Sequence, residues 1–359
     1  MPLITVTAAW NMSDFELNCP LPLQYDRIVM AHGGGGRLMQ QLLESLVQPV
    51  FRNPILDQKH DSAVVEVNGT RLAFTTDSYV VKPLFFPGGD IGKLAVCGTL
   101  NDLAMSGAKP LYLTCSLIIE EGLPTSDLQR ILQSMQQTAS DAGVLIVTGD
   151  TKTVDHGKGD GLYINTAGIG IVGEQVNIRP SAIRPGDSIL LNSDLARHGI
   201  AVMLEREGMN FEHRIQSDCA DVSGLVQELL KAGIEIHCLR DLTRGGLASV
   251  LIELASASGH EFELSESDLP VREDVNAACE ILGFDPLYIA NEGCFAVFVP
   301  EPQAEAALTV LRRHPLGQQA RKIGQVKLPH SHGRVTLQTP IGVNRVLDLL
   351  SGEQLPRIC

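Results

Sequence analysis

The sequence predicts an α+β protein of two mixed domains, and three observations carry that expectation. The chain has 359 residues, enough for two hydrophobic cores. Its composition, 44% hydrophobic with 34 glycines and few aromatic residues, is that of a glycine-rich enzyme rather than a fibrous or unstructured chain. The predicted helices and strands also follow one another without the regular alternation of a doubly wound sheet.

Taken in order, residues 1–26 are mixed in character and read as an N-terminal extension. Gly33, Gly34, Gly35 and Gly36 then lead into a helical pattern from Arg37. Strands at 63–67 and 71–76 are joined by Asn68-Gly69, a strong hairpin signal. A helix over 92–105 is stopped by Gly107 and Pro110. A strand at 111–119, a helix at 125–142 and strands at 144–148 and 162–171 complete a first domain, 27–180. The turn Arg184-Pro185-Gly186-Asp187 opens a second, 181–345, with a strand at 188–192. Helices follow at 222–232, 243–257 and 271–282, and strands at 294–299 and 334–338. Thr243 is the expected N-cap of the middle helix. Residues 346–359 read as a flexible tail.

Composition excludes several classes of function. A formal charge of −14 without any basic cluster argues against nucleic acid as a partner. The eight cysteines are scattered with no CxxC pair, which fits reduced thiols in the cytoplasm. The dispersed histidines offer no zinc site. The N-terminus lacks the features of a signal peptide, and no apolar run approaches a bilayer span, so no membrane partner is expected. Neither common nucleotide loop is present. The segment from Gly88 to Leu94 has the wrong glycine spacing for a phosphate loop, and Gly33 to Leu38 does not complete a dinucleotide motif.

Acidic residues instead fall at predicted strand ends and helix positions. Asp77 and Asp150 close strands, Asn101 and Asp102 lie on the helix 92–105, and Asp61 precedes a strand. Carboxylates at converging strand ends suit magnesium beside phosphates, although each alone also fits a turn or cap. The four glycines at 33–36 could fold their amides over an anion or serve as a linker. Arg240-Asp241-Leu242-Thr243-Arg244-Gly245-Gly246 offers a second anion site or an ordinary helix start. Lys152 and Glu292 are candidates for proton handling, against the alternative of solvated turn residues. The chain stops on Cys359, a thiol on a tether beside the cationic Arg357. Last residues are usually frayed, and prenylation would require the cysteine four from the end. Cys359 thus reads as a carrier thiol or as an unstructured end.

Six strings converge on one family. They are Ala31-His32-Gly33-Gly34-Gly35-Gly36, Phe86-Pro87-Gly88-Gly89-Asp90-Ile91-Gly92-Lys93, Asn101-Asp102-Leu103-Ala104-Met105-Ser106-Gly107-Ala108, Gly149-Asp150-Thr151-Lys152, the Arg240–Gly246 string above and Pro356-Arg357-Ile358-Cys359. Together they resemble the HypE family of [NiFe]-hydrogenase maturation proteins over residues 27–359. The internal strings place it in the superfamily of aminoimidazole ribonucleotide synthetase and selenophosphate synthetase. The terminal Pro-Arg-Ile-Cys makes the resemblance specific.

The resemblance implies the two-domain fold of that superfamily, with N-terminal sheets of two subunits pairing into a homodimer. It implies ATP-dependent dehydration of a carboxamide, placed on Cys359 by the carbamoyltransferase HypF, to a thiocyanate. That group would pass as cyanide to iron on a HypC–HypD complex. By this resemblance ATP and Mg2+ are the cofactors, Cys359, Glu292 and Lys152 the catalytic residues, and Asp77, Asp102 and Asp150 the metal ligands. Gly33, Gly34, Gly35, Gly36, Asp61, Asn101 and Thr151 join those aspartates in binding the nucleotide. Two other readings are another ATP-dependent synthetase of the superfamily and a non-catalytic scaffold that presents Cys359. A selenophosphate synthetase would need a reactive thiol near the glycine run, whereas Cys19 lies upstream of it.

Overall fold

The computed structural model describes residues 26–209, 214–352 and 357–359, so nearly all of the expected N-terminal extension lies outside the described residues. The glycine run leads into two short helices, α1 (Arg37–Leu42) and α2 (Gln48–Phe51). Strands β1 (Ala63–Val67) and β2 (Thr70–Tyr79) form the expected hairpin, and Asn68 and Gly69 take the positive φ values, 51° and 78°, that such a turn requires. The short pair β3 (Phe85–Phe86) and β4 (Gly89–Asp90) leads into α3 (Ile91–Met105). The Asp90 carboxylate caps that helix by accepting from the amides of Gly92 and Lys93. After it come β5 (Lys109–Glu120), α4 (Thr125–Asp141), β6 (Leu145–Val154) and β7 (Leu162–Ile171). The first sheet runs β1-β2-β7-β5-β6, with β5 and β6 the parallel neighbours.

A second sheet is built from β8 (Asp187–Leu191) onward. Helices α5 (Arg197–Arg206) and α6 (Ser223–Lys231) precede β9 (Cys238–Asp241), α7 (Gly246–Ser258) and β10 (His260–Ser265). Then come α8 (Glu273–Leu282), β11 (Phe295–Pro300), α9 (Ala304–Arg313), β12 (Arg321–Pro329), β13 (Arg334–Gln338) and β14 (Asn344–Leu347). Its seven strands run β14-β13-β10-β12-β8-β11-β9.

Helix α3 joins the two halves. Nearly all of its residues are buried, so the helix is enclosed on all sides. Leu94, Val96, Cys97 and Leu100 pack into the core under the first sheet. Ala104 and Met105 instead pack with Leu225 and Val226 of α6 and Phe295 and Val297 of β11. Among the described residues, the other face of the first sheet is left uncovered. Register places Phe74, Ile169, Tyr112 and Leu145 in one apolar row across four strands. Phe74, Tyr112 and Leu145 are 51%, 47% and 66% exposed.

Several expectations change. Neither Asp77 nor Asp150 closes a strand: β2 continues to Tyr79 and β6 to Val154. Gly149 is the point where β6 passes close to β5, and a Cβ there would run into the Cys115 carbonyl oxygen. Thr243 does not cap α7; the helix starts after Gly245, at φ 78°. The second sheet includes residues to Leu347, so the expected tail begins inside β14. Strands β9, β10 and β12 and helices α5 and α9 were not anticipated as elements.

Candidate active site

The loop between Ile289 and Phe295 is held by backbone bonds to Gly199, Ala220 and Leu242 and by polar side chains. Asn291 accepts from the Ala196 amide at 2.7 Å and donates to Leu242 and Ile289 carbonyls at 3.0 Å each. Asp218 accepts from the amides of Glu292, at 3.2 Å, and Gly293, at 3.0 Å. Asn101, on α3, donates to the carbonyls of Ala220 and Glu292 at 3.1 and 3.2 Å and accepts from the Val222 amide at 2.9 Å. Its amide is therefore committed to backbone, and within this chain it positions Glu292 rather than facing a nucleotide.

The Glu292 side chain is buried at 2% exposure, and its Oε1 has no hydrogen-bond partner among the described residues. Burial, then the neighbouring Cys219 thiol and the carboxylates of Asp241, Asp218 and Asp77, push its pKa well above the usual range. A buried carboxyl so displaced is of the kind that enzymes use to move protons.

Cys359 faces this carboxyl. The half-buried thiol is raised well above its ordinary pKa by burial and by Glu292, while the Arg244 guanidinium opposes the shift. Arg244 sits among Cys359, Asp77 and Glu292, whose charges all favour its cationic form. The glycine run lies on the backbone of this arginine: a Cβ on Gly35 would meet the Arg244 carbonyl oxygen at 2.7 Å. Gly34, Gly36, Arg244, Gly245 and Ile358 line one cavity of about 30 Å³, so glycine run and tail enclose the same space.

A second group lies at the junction of the two halves. The Thr75 hydroxyl is 2.7 Å from Asp102 Oδ2 and 3.0 Å from the Asp61 carbonyl oxygen. Burial, then Asp241, Asp61 and Asp77, raise the Asp102 pKa strongly; Asp241 is raised by burial and Asp61. Asp61 forms an ion pair with Arg240, and its buried Oδ2, 3.9 Å from His60 Nδ1, has no hydrogen-bond partner among the described residues. Arg240 also faces Glu253 at 3.6 Å, and Gln40 of α1 donates to Glu253 at 3.2 Å. Buried like charges that hold one another protonated form a place where a cation would be welcome. Among the described residues no three His, Cys, Asp or Glu side chains meet closely enough to hold a metal by themselves. That suits an ion carried mainly by phosphates, which takes one or two carboxylates from the protein.

Asp150, Thr151 and Lys152 stand apart. They lie on β6, the edge strand, with Asp150 paired to Ser116 and, through Asn165, level with Ser78. Three strand spacings, roughly 14 Å, separate Asp150 from β2. Register also puts Asp150 and Lys152 on the outer face, opposite the face bearing Thr75, Asp77 and Tyr79. The Lys152 ammonium is exposed and bound to Asp150 at 2.6 Å. The chain alone thus separates these residues from the Asp77–Asp102 group.

Asp218, Asp241, Arg244 and His198 complete the site. The string around Arg240 signalled Asp241 and Arg244, whereas nothing in the sequence marked Asp218 or His198.

A two-sheet fold with buried carboxylates gathered around the helix that joins its halves defines a protein of the AIR synthase related class. The sequence model of "AIR synthase related protein, N-terminal domain" matches residues 59–172, and that of the C-terminal domain matches residues 184–335. "Carbamoyl dehydratase HypE" of Azotobacter vinelandii is 51% identical over 339 residues, covering 94% of this chain and 99% of its own length. The solved structure "Crystal Structure of Hydrogenase Maturation Protein HypE in complex with ATP" matches with TM-score 0.78 at 46% identity, covering 93% of this chain and all of that one. The "Crystal structure of HypE-HypF complex" matches with TM-score 0.81 at 45% identity, covering 86% and 99%. The chain belongs to the HypE family of carbamoyl dehydratases.

Proposed function

We propose that this chain uses ATP to dehydrate a carboxamide carried on Cys359, giving a thiocyanate that supplies cyanide ligands to the iron of [NiFe]-hydrogenase. The observation that carries this reading is the Cys359 thiol set against the buried carboxyl of Glu292, with Arg244 beside both.

Oxygen is a poor leaving group from a carboxamide, and phosphorylation turns it into phosphate. Loss of that phosphate forms the nitrile once the two nitrogen protons are removed. Glu292 is the base for this step. Arg244 stabilises negative charge developing beside the sulfur. Asn101 and Asp218 hold the Glu292 backbone so that its carboxyl stays aimed at the tail. Asp102 and Asp77, with Asp241 added to the expected set, face the phosphates. A bound Mg2+ would rest on them and neutralise phosphate charge. Gly33, Gly34, Gly35 and Gly36 close over the site, and Asp61 fixes Arg240 beneath it.

Asp150, Thr151 and Lys152 enter the scheme from a second copy. The uncovered apolar row on the first sheet is the surface over which two chains would pair as a homodimer. Across it, the Asp150–Lys152 edge would reach the partner's site. We read the domain division near 180, with 27–180 binding nucleotide and pairing, and place the protein in the cytoplasm. No described helix is long and apolar enough to cross a membrane. HypF fits as the source of the carbamoyl group, and a HypC–HypD complex as the acceptor.

The test is intact mass spectrometry of the chain with HypF, carbamoyl phosphate and MgATP, beside Cys359→Ala. A carbamoyl adduct confined to Cys359 that then loses one water only when ATP is present is the expected result. An adduct that never loses water would leave a carrier whose catalysis lies elsewhere.

A further inference from the structure

The end of the chain is held by a set of contacts outside the chemistry above. The Ile358 carbonyl accepts from His198 Nε2 at 2.9 Å, and the Ile358 side chain is buried. A carbonyl can only accept, so Nε2 carries the proton. Burial lowers the ring's pKa to about 4 and keeps it neutral, so Nδ1 accepts from the Ser217 hydroxyl, 2.9 Å away, whose oxygen accepts from the Cys219 amide at 3.0 Å. Ser217 is fixed in turn by its amide, which donates to the Pro87 carbonyl at 2.8 Å. The Phe86 ring meets the imidazole edge-on, with centroids 5.3 Å apart. The string Phe86-Pro87-Gly88-Gly89, which the reaction leaves without a role, thus orients one imidazole. A Cβ on Gly88 would meet the Ser217 amide nitrogen at 2.9 Å.

The start of α5 also carries the catalytic loop, for Gly199 donates to the Ala290 carbonyl at 3.1 Å and Asn291 accepts from Ala196. One helix turn therefore grips the tail through His198 and the Glu292 loop through its flanking residues. Resting on the reading of Cys359 as the substrate-bearing thiol, we propose that His198 is a positioning residue: its Nε2–H latches the Ile358 carbonyl and so sets Cys359 against Glu292.

Two further contacts hold the same segment. Arg357 pairs with Asp160 at 2.8 Å, and the Arg206 guanidinium donates to the Arg357 carbonyl at 2.7 Å.

The experiment measures alkylation of Cys359 by a bulky maleimide, located by mass spectrometry, in the full chain at one pH. Each rate is divided by that of a free peptide of the last five residues, which removes the intrinsic reactivity of the thiol. His198→Ala removes the donor to Ile358 and should lower protection by about tenfold. His198→Gln keeps a donor and should restore most of the protection. Asp160→Asn, which weakens the Arg357 clamp, should lower protection in part and serves if the alanine variant does not fold. An alanine variant as protected as the wild-type chain, or a glutamine variant as exposed as the alanine one, overturns the proposal. The assay needs neither ATP nor a carbamoyl group, so its failure is distinct from failure of the dehydration reading.

Discussion

Glu292 owes its character to removal from water, with neighbouring acids adding to the effect and its Oε1 given no hydrogen bond by the described residues. Glu292→Gln keeps the shape and removes the base. Dehydration of a carbamoylated tail should slow roughly 10²- to 10⁴-fold, with ATP binding unchanged. Single-turnover water loss and calorimetric titration with ATP check the two halves of that statement, and normal dehydration would remove Glu292 from the mechanism. Asp218→Ala strands two buried amides, those of Glu292 and Gly293, and should cost about 2–4 kcal/mol in a urea unfolding curve. The two residues differ in how far the sequence announces them. Glu292 stands out as an acid before an apolar strand. Asp218 serves it from 74 positions away, and His198 meets Ile358 from 160 positions away, separations over which no local pattern speaks.

Among the elements, hairpin, central helix and α4 are legible because each is fixed by local chemistry: a positive-φ pair, a carboxylate cap, an amphipathic stripe. The extent of β6 is not legible. Its polar second half, from Gly149 to Val154, is a strand only because β5 lends it a parallel partner. Strand pairing is a non-local cause, and a glycine that permits close approach looks, in one dimension, like one that ends a strand. The 291–293 loop shows the same constraint at the site. A Cβ on Gly293 would lie 2.1 Å from the Asp218 carbonyl oxygen. Gly293→Ala must therefore push the loop off Asp218 and carry Glu292 with it. We expect loss of dehydration together with a lower melting temperature, read by calorimetry. An alanine variant with unchanged activity would show that the loop tolerates the shift.

For the molecule as a whole, the expected site is split. Glu292, Cys359, Asp77 and Asp102 gather within one chain, while Asp150 and Lys152 lie on the far face of its edge strand. If that edge serves a partner, Lys152→Ala and Glu292→Gln chains should complement. A mixed dimer holds one site with both functional groups and one with neither. Random exchange of equal amounts should restore about a quarter of wild-type activity. Mixtures that remain as inactive as either parent would place Lys152 in its own chain's site or outside the reaction. Sequence could suggest these residues but not their separation, because strand order, unlike strand content, is settled by long-range pairing.

The docking of Cys359 has a kinetic consequence. A substrate tethered to its catalyst is present at an effective concentration set by the tether, of order millimolar for a short flexible link. Free thiols, whether cellular or added, must outnumber that value to displace the tail. Saturation then has no meaning for this half of the reaction. Throughput is counted in visits, and its limit lies in how often the arm departs to be recharged and returns.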